Sequence, residues 1–147
     1  MTARWYEPID VRRIPLATLI AIVVAFAVDV GMLEAGQRWL DVPAEEPLLS
    51  LVAIGVAVLV AAVLAGLGLV VLAGTQARPL STFRSATTCA VVISCMAPLL
   101  ARAGWIAGDS PISTPTMTIM LLMHVATGAV FALFLTSLPR ANAPRRY

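Results

Sequence analysis

The sequence is poor in charge and in reactive side chains. It contains no lysine, one histidine, two cysteines and only 12% charged residues in 147 positions. A single histidine excludes haem held by two histidines of the same chain, and Cys89 and Cys95 do not form a C-x-x-C motif. A glycine-rich phosphate loop and a nucleophile elbow are also missing. We therefore predict no enzymatic activity, no catalytic residues, no cofactor and no metal site.

Apolar residues are abundant instead. They make up 60% of the chain, and the mean hydropathy of +0.92 exceeds what a soluble domain of this length buries. Four apolar stretches, at 14–33, 48–73, 85–101 and 116–138, each approach the roughly 20 residues that a membrane-spanning helix needs. The sequence thus predicts an all-α fold, an up-down bundle of four transmembrane helices. Its domain covers residues 14–138, between an interfacial segment at 1–13 and a basic tail at 139–147.

The arginines indicate how the bundle is oriented. Most of them fall on one side of a four-span chain, and this side holds Arg4, Arg12, Arg13, Arg78, Arg84, Arg140, Arg145 and Arg146. Because cytoplasmic loops carry an excess of positive charge, both termini are predicted to be cytoplasmic in a bacterial inner membrane, with Arg78 and Arg84 anchoring the inner face. The arginines are spread along membrane edges, so nucleic-acid binding is not predicted.

The first span has a competing interpretation as a signal peptide. Arg12 and Arg13 precede an apolar core, and residues 25–27 (Ala-Phe-Ala) have the small-x-small form of a cleavage site. Cleavage would leave three spans and an external N-terminus. The apolar run continues past this point to Leu33, which favours a membrane span.

Asp29 and His124 are the ionisable residues inside the predicted spans. An ionisable group at membrane depth usually faces protein or a water-filled cavity. Because the first and fourth helices of an up-down bundle are neighbours, we expect the two side chains to approach each other, directly or through water. Two interpretations stay open: a titrating pair coupled to transport, or a structural polar clamp between helices.

Other candidate positions lie near the membrane surfaces. Glu34, Arg38 and Arg102 are predicted to form a rim on the outer side, either salt-bridged or solvated. Pro98 is predicted to kink the third span, because proline removes a backbone hydrogen bond and crowds the preceding turn. The alternative is that Pro98 simply ends a short helix.

Small residues recur every four positions in each span. In lipid such stripes let helices approach closely, so they predict the packing faces. The stripes are Ala17, Ala21, Ala25 and Asp29; Ala53, Ala57, Ala61 and Ala65; Ala86, Ala90, Ser94 and Pro98; and His124, Gly128, Ala132 and Thr136.

Four short motifs resemble a known family. They read DVPAEEPL at 41–48, RPLSTFR at 78–84, SCMAPLL at 94–100 and LLMHVATGA at 121–129. In order and spacing they are similar to a family of small four-span bacterial membrane proteins, mainly actinobacterial, classified only as a domain of unknown function. The acidic loop lacks the aromatic residue that the family pattern has near its second glutamate. The resemblance implies a fold and a membrane location, and it transfers no mechanism. The residues that match its pattern are Arg78, Pro79, Thr82, Phe83, Arg84, Pro98 and His124.

These observations favour a non-enzymatic accessory or interaction subunit that assembles with itself or with other membrane proteins in the lipid bilayer. The alternative is a small oligomeric proton-coupled transporter that uses Asp29 and His124. An intramembrane enzyme is a third hypothesis, and it would need a site without a recognisable motif.

Overall fold

The computed structural model of the chain describes residues 7–105 and 111–140. Their helices are α1 (Ile14–Trp39), α2 (Leu51–Thr75), α3 (Pro79–Ser94), α4 (Met96–Arg102) and α5 (Thr114–Ser137). Short 3-10 helices at Val11–Arg13 and Pro47–Leu49 precede α1 and α2. Arg4 and most of the predicted basic tail, including Arg145 and Arg146, lie outside the described residues.

The described chain is all-helical, which confirms the predicted fold class. Four helical segments are long and apolar enough to cross a membrane, with α3 and α4 together forming the third. The protein is therefore a multi-pass membrane protein. The prolines explain several helix starts, because Pro15, Pro79 and Pro115 occupy a first turn, where the missing N–H has no intrahelical partner to lose.

Two spans differ from their predicted limits. The first continues beyond Leu33 to Trp39, and the third begins at Pro79 instead of residue 85. In both places polar residues lowered the hydropathy of a segment that is still helical. α1 ends where Asp41 adopts a positive φ of 54° and the Val42 amide donates to the Gly36 carbonyl at 3.3 Å.

The helices form a ring in which α1 lies between α2 and α5. α3 also packs against α2 and α5, so that α1 and α3 lie diagonally across the bundle, and α4 packs against α5. The expected adjacency of the first and fourth spans is confirmed.

The N-terminal segment ties one end of the bundle together. The Glu7 amide donates to Ala77 O (3.2 Å), and the Asp10 amide donates to Pro139 O (2.7 Å). The start of α1, the α2–α3 turn and the end of α5 therefore meet at the same end. Successive spans run in opposite directions, as expected of an up-down bundle.

Glycines and alanines set the spacing between neighbouring helices. A Cβ added at Gly66 would lie 2.8 Å from Thr18 Oγ1, and one at Gly36 would lie 2.6 Å from Ile119 Cγ1. α2 thus meets α1, and α1 meets α5, at glycine positions where a larger residue would require the neighbouring side chain to move. On α1 the predicted small-residue stripe is the buried face: Ala17, Ala21 and Ala25 are fully buried.

The predicted packing stripe of α2 is wrong. Its buried residues come one position later than the alanines, and they are Ile54, Val58, Ala62, Gly66 and Leu69. The contact between Gly66 and Thr18 turns this face towards α1. The helix is apolar on all sides, so its sequence offered no contrast between the two faces.

The N-terminus of α3 is capped by a residue distant in sequence. Glu7 Oε2 accepts hydrogen bonds from the Leu80 amide (2.8 Å) and the Ser81 amide (3.2 Å). A carboxylate at this position satisfies two amides that lack intrahelical partners and also interacts favourably with the helix dipole. The hydroxyls of Ser81 and Thr82 do not cap the helix and donate to Arg78 O.

Removal of this cap should loosen the start of α3. We expect Glu7→Ala to lower the free energy of unfolding by about 1–2 kcal/mol, because both amides lose a charged acceptor. Hydrogen exchange at Leu80 and Ser81 should accelerate. The matched control is Glu45→Ala, which removes an exposed carboxylate from the outer loop. Equal exchange at Leu80 in the two variants would contradict the assigned cap.

Candidate functional site

The middle of the third span is poorly packed. From Arg84 to Ala97 no residue is buried, although residues on both sides of this stretch, Phe83 and Pro98, are. α1, α2 and α5 each bury residues at regular intervals along their length. α3 therefore buries side chains mainly at its two ends, and between them Val91 contacts Gly128 of α5.

A cavity of about 780 Å³ lies beneath this stretch, between α2, α3 and α5. The predicted alanine stripe of α2 lines one wall, and three residues of the predicted α3 stripe line another. These stripes leave space between the helices instead of closing it, and the cavity has room for a small molecule. They contribute Ala53, Ala57, Ala61, Ala65, Ala86, Ala90 and Ser94.

The third span is interrupted close to its proline. α3 ends at Ser94 and α4 begins at Met96, so the break falls at Cys95, within one turn of the buried Pro98. Proline lacks the amide that would bond the carbonyl four residues earlier, here Ser94. The Ser94 hydroxyl, which also borders the cavity, donates to Val91 O at 2.9 Å.

Asp29 is the one α1 residue that lines the cavity. Its side chain is only 4% exposed, and its Oδ2 accepts a 2.8 Å hydrogen bond from the Thr127 hydroxyl of α5. Its Oδ1 is buried and has no hydrogen-bond partner within the described part of the chain. A buried carboxylate oxygen without a partner is costly, which sets Asp29 apart from an ordinary structural residue.

His124 borders the same cavity from α5. Its Nδ1 lies 2.7 Å from Met120 O, and a carbonyl oxygen only accepts, so Nδ1 carries the hydrogen. In the neutral ring Nε2 is then an acceptor, and it bonds to none of the described residues. Among these residues Asp29 and His124 form no direct ion pair: the cavity brings them together, but the direct partner of Asp29 is Thr127.

The other predicted site residues lie away from this cavity. On the outer rim, Arg38 Nη2 lies 3.7 Å from Glu34 Oε2, with both side chains mostly exposed. Arg102 ends α4, is exposed, and makes no ion pair with any residue in 7–105 or 111–140. Exposed pairs of this kind contribute little to stability.

The two inner-face arginines differ from each other. Arg84 Nε donates to Thr136 Oγ1 at 3.2 Å and so joins α3 to α5, whereas Arg78 is exposed at the residue before α3. Arg84 therefore has a structural contact besides any role at the headgroups.

The described residues contain no cluster of side chains suited to bind a metal ion. Within the described ranges no three residues of histidine, cysteine, aspartate or glutamate gather closely enough to hold a metal ion. Cys89 is exposed and Cys95 half-buried, and neither is in a disulfide. The arrangement offers hydrogen-bond acceptors in an apolar cleft.

Sequence reasoning missed Thr127 and the cavity itself. Thr127 follows His124 by three positions, which places both on one helical face, and this spacing was the available signal. The cavity had no comparable signal, because small residues predict close packing and an open cleft equally well.

Comparisons with known proteins place no constraint on the site. No protein-family model, curated protein or solved structure matches this chain.

Proposed function

We propose that the protein is a non-enzymatic interaction subunit of a larger membrane assembly. The observation that carries this proposal is the unburied middle of α3, from Arg84 to Ala97. A spanning helix with so few buried side chains has less of the van der Waals packing that stabilises helices in lipid than its neighbours have. A second membrane protein, or another copy of this chain, lying against α3 would supply that packing.

The outward side of α3 is the surface we assign to this contact. Val92 and Ile93 are 65% and 71% exposed, and the exposed Cys89 lies one turn earlier on the same helix. A native cysteine at this position gives a direct chemical probe of what lies next to α3.

Photocrosslinking from Cys89 tests the proposal. With a benzophenone attached to Cys89 in native membranes, we expect a crosslinked product of defined mass. Native mass spectrometry of the full-length protein in mild detergent should show the same stoichiometric complex. Cys89→Ala should abolish the crosslink and Cys95→Ala should retain it, because Cys95 is half-buried.

The control for random encounters is a cysteine on the exposed face of α1, Leu19→Cys in a Cys89→Ala background. Crosslinking from both positions with equal yield, or a purely monomeric mass, would exclude a specific assembly at α3.

The second candidate function is proton-coupled transport by a small oligomeric transporter, and the buried Asp29 favours it. Asp29 has an oxygen without a partner among the described residues, and it lines the same cavity as His124 of α5. This arrangement is suited to binding and releasing a proton. In a chain of four spans this activity would require an oligomer. Proton-driven uptake that survives Asp29→Asn would rule the role out.

Location and lineage are also part of the proposal. The arginine distribution supports a bacterial inner membrane with the Glu7 end of the bundle cytoplasmic, and the four motifs support membership of the four-span family they resemble. Thiol labelling from outside the cell of a cysteine placed at the exposed Arg102, but not of one at the exposed Arg78, is the outcome that this orientation predicts.

A further inference from the structure

The cavity between α2, α3 and α5 is lined mostly by apolar side chains. Its lining runs along α2 from Ala53 to Leu72, which is about 29 Å at the rise of an α-helix, and continues to Leu48 and Leu49 in the preceding 3-10 helix. Along α3 and α5 the lining covers shorter stretches, at 83–94 and 120–131. An apolar space of this kind accommodates an extended hydrocarbon chain.

The polar groups in this cavity share one chemical character. The Asp29 carboxylate accepts, and the Thr127 hydroxyl already donates its hydrogen to Asp29 and retains a lone pair. With His124 Nδ1–H donating to Met120 O, the uncharged form of the ring offers the lone pair of Nε2. In that form the three groups offer acceptors and no free donor on the wall of an otherwise apolar space.

The unpaired Oδ1 of Asp29 shows that the described chain leaves this carboxylate incompletely satisfied. No arginine of the described residues pairs with this oxygen. Arg84 of α3 donates to Thr136 of α5. The χ2 torsion of an aspartate is broad, so a small rotation exposes Oδ1 at the cavity surface. A ligand that brings a positive charge and several donors would complete the site.

We propose that the cavity binds a single-chain amphiphile with a primary ammonium group. Its hydrocarbon chain lies along the alanine stripe of α2, and its three N–H groups donate to Asp29, His124 and Thr127. An alcohol of the same chain length has one donor, and a quaternary ammonium has none. The site therefore distinguishes primary amines from both. This binding is independent of the assembly proposed at the outer side of α3.

Photoaffinity labelling with an alkylamine tests the proposal. The probe is dodecylamine with a diazirine in the middle of its chain, added to full-length protein in lipid nanodiscs. We expect saturable labelling of peptides from α2 and α3. Unlabelled dodecylamine should compete at least tenfold better than dodecanol or dodecyltrimethylammonium.

Two variants separate the head-group site from the hydrocarbon cleft. Asp29→Asn should weaken labelling at least tenfold, whereas Glu34→Gln, which changes an exposed carboxylate of the same helix outside the cavity, should not alter it. Ala57→Leu should reduce labelling by filling the cleft while leaving Asp29 intact.

Three outcomes would overturn the proposal. Equal competition by the amine and the alcohol would mean that the cleft accepts any lipid chain. Unchanged labelling of Asp29→Asn would remove the carboxylate from the site. Labelling confined to α1 and the exposed helix faces would show that the amine only partitions into the bilayer. A monomeric mass with retained amine selectivity would reject the assembly and leave this site standing.

Discussion

Gly36→Leu should destabilise the described bundle strongly. A Cβ at this position lies 2.6 Å and 2.9 Å from two carbons of Ile119 and 3.3 Å from Val42 Cγ2, so a leucine cannot be accommodated without moving α1 away from α5. Overpacking of this kind costs about 3 kcal/mol in a well-packed core. Unfolding in mixed micelles, followed by circular dichroism or by tryptophan fluorescence, measures the loss.

Gly31→Leu is the matched control on the same helix. Gly31 is exposed, and an added Cβ there has no neighbour within 4 Å. This variant should be neutral, or more stable by about 0.5–1 kcal/mol, because glycine disfavours a helix interior. Equal destabilisation by the two variants would mean that any bulk on α1 is harmful and that the α1–α5 contact has no special role.

Asp29→Leu should have the opposite effect and raise stability. Asp29 is 4% exposed, one of its oxygens has no partner among the described residues, and the cavity beside it has room for the side chain of leucine. The substitution removes the desolvation cost of the unsatisfied oxygen, about 1–3 kcal/mol, and loses the bond from Thr127, about 0.6 kcal/mol, so a net gain of about 1 kcal/mol is expected. The same unfolding assay measures the gain.

A double-mutant cycle with Thr127 distinguishes a gain from removing the unsatisfied oxygen of Asp29 from a general effect of added hydrophobicity. Thr127→Val alone should destabilise the protein, since it removes the one donor to Asp29, but it should be nearly neutral in the Asp29→Leu background. Interhelical polar contacts in membranes average about 0.6 kcal/mol, so the coupling energy should be of that order. A stability loss on Asp29→Leu would identify the residue as a structural clamp and would weaken both proposals that use its charge.

A carboxylate that lowers stability is more readily explained by a role in binding than by packing. Protein sites that act on other molecules are commonly less stable than an optimised core would be. The two measurements on Asp29 are therefore linked: the variant that gains stability is also expected to lose the ammonium ligand.

The sequence predicted the class and order of the helices because hydropathy and the lengths of the apolar runs are averages over many residues. It also predicted that Asp29 faces inward, since a lone charge in a span has few other environments. The face of α1 followed from its alanines, which stand among larger residues. On α2 the same argument failed, because both the Ala53 stripe and the adjacent Ile54 stripe are apolar.

Contacts between distant residues were beyond sequence reasoning. The cap from Glu7 to Leu80 spans 73 positions, and the bond from Thr127 to Asp29 spans 98. A carboxylate near a chain end and a threonine within a helix are both common, and neither signals its partner by local spacing. The cavity also depends on how far α3 diverges from α2, which local propensity does not determine.

The separation of Asp29 from Thr127 has a consequence for biosynthesis. α1 is translated before α5, so Asp29 enters the membrane before its hydrogen-bond partner Thr127 has been translated. An aspartate at the centre of a span costs roughly 3 kcal/mol on insertion, while each leucine, isoleucine or valine offsets about 0.3–0.6 kcal/mol. The aliphatic residues around Asp29 therefore have a role during membrane insertion as well as in the folded bundle. Their favourable insertion free energy offsets the cost of Asp29 until α5 has been inserted and Thr127 can donate to it.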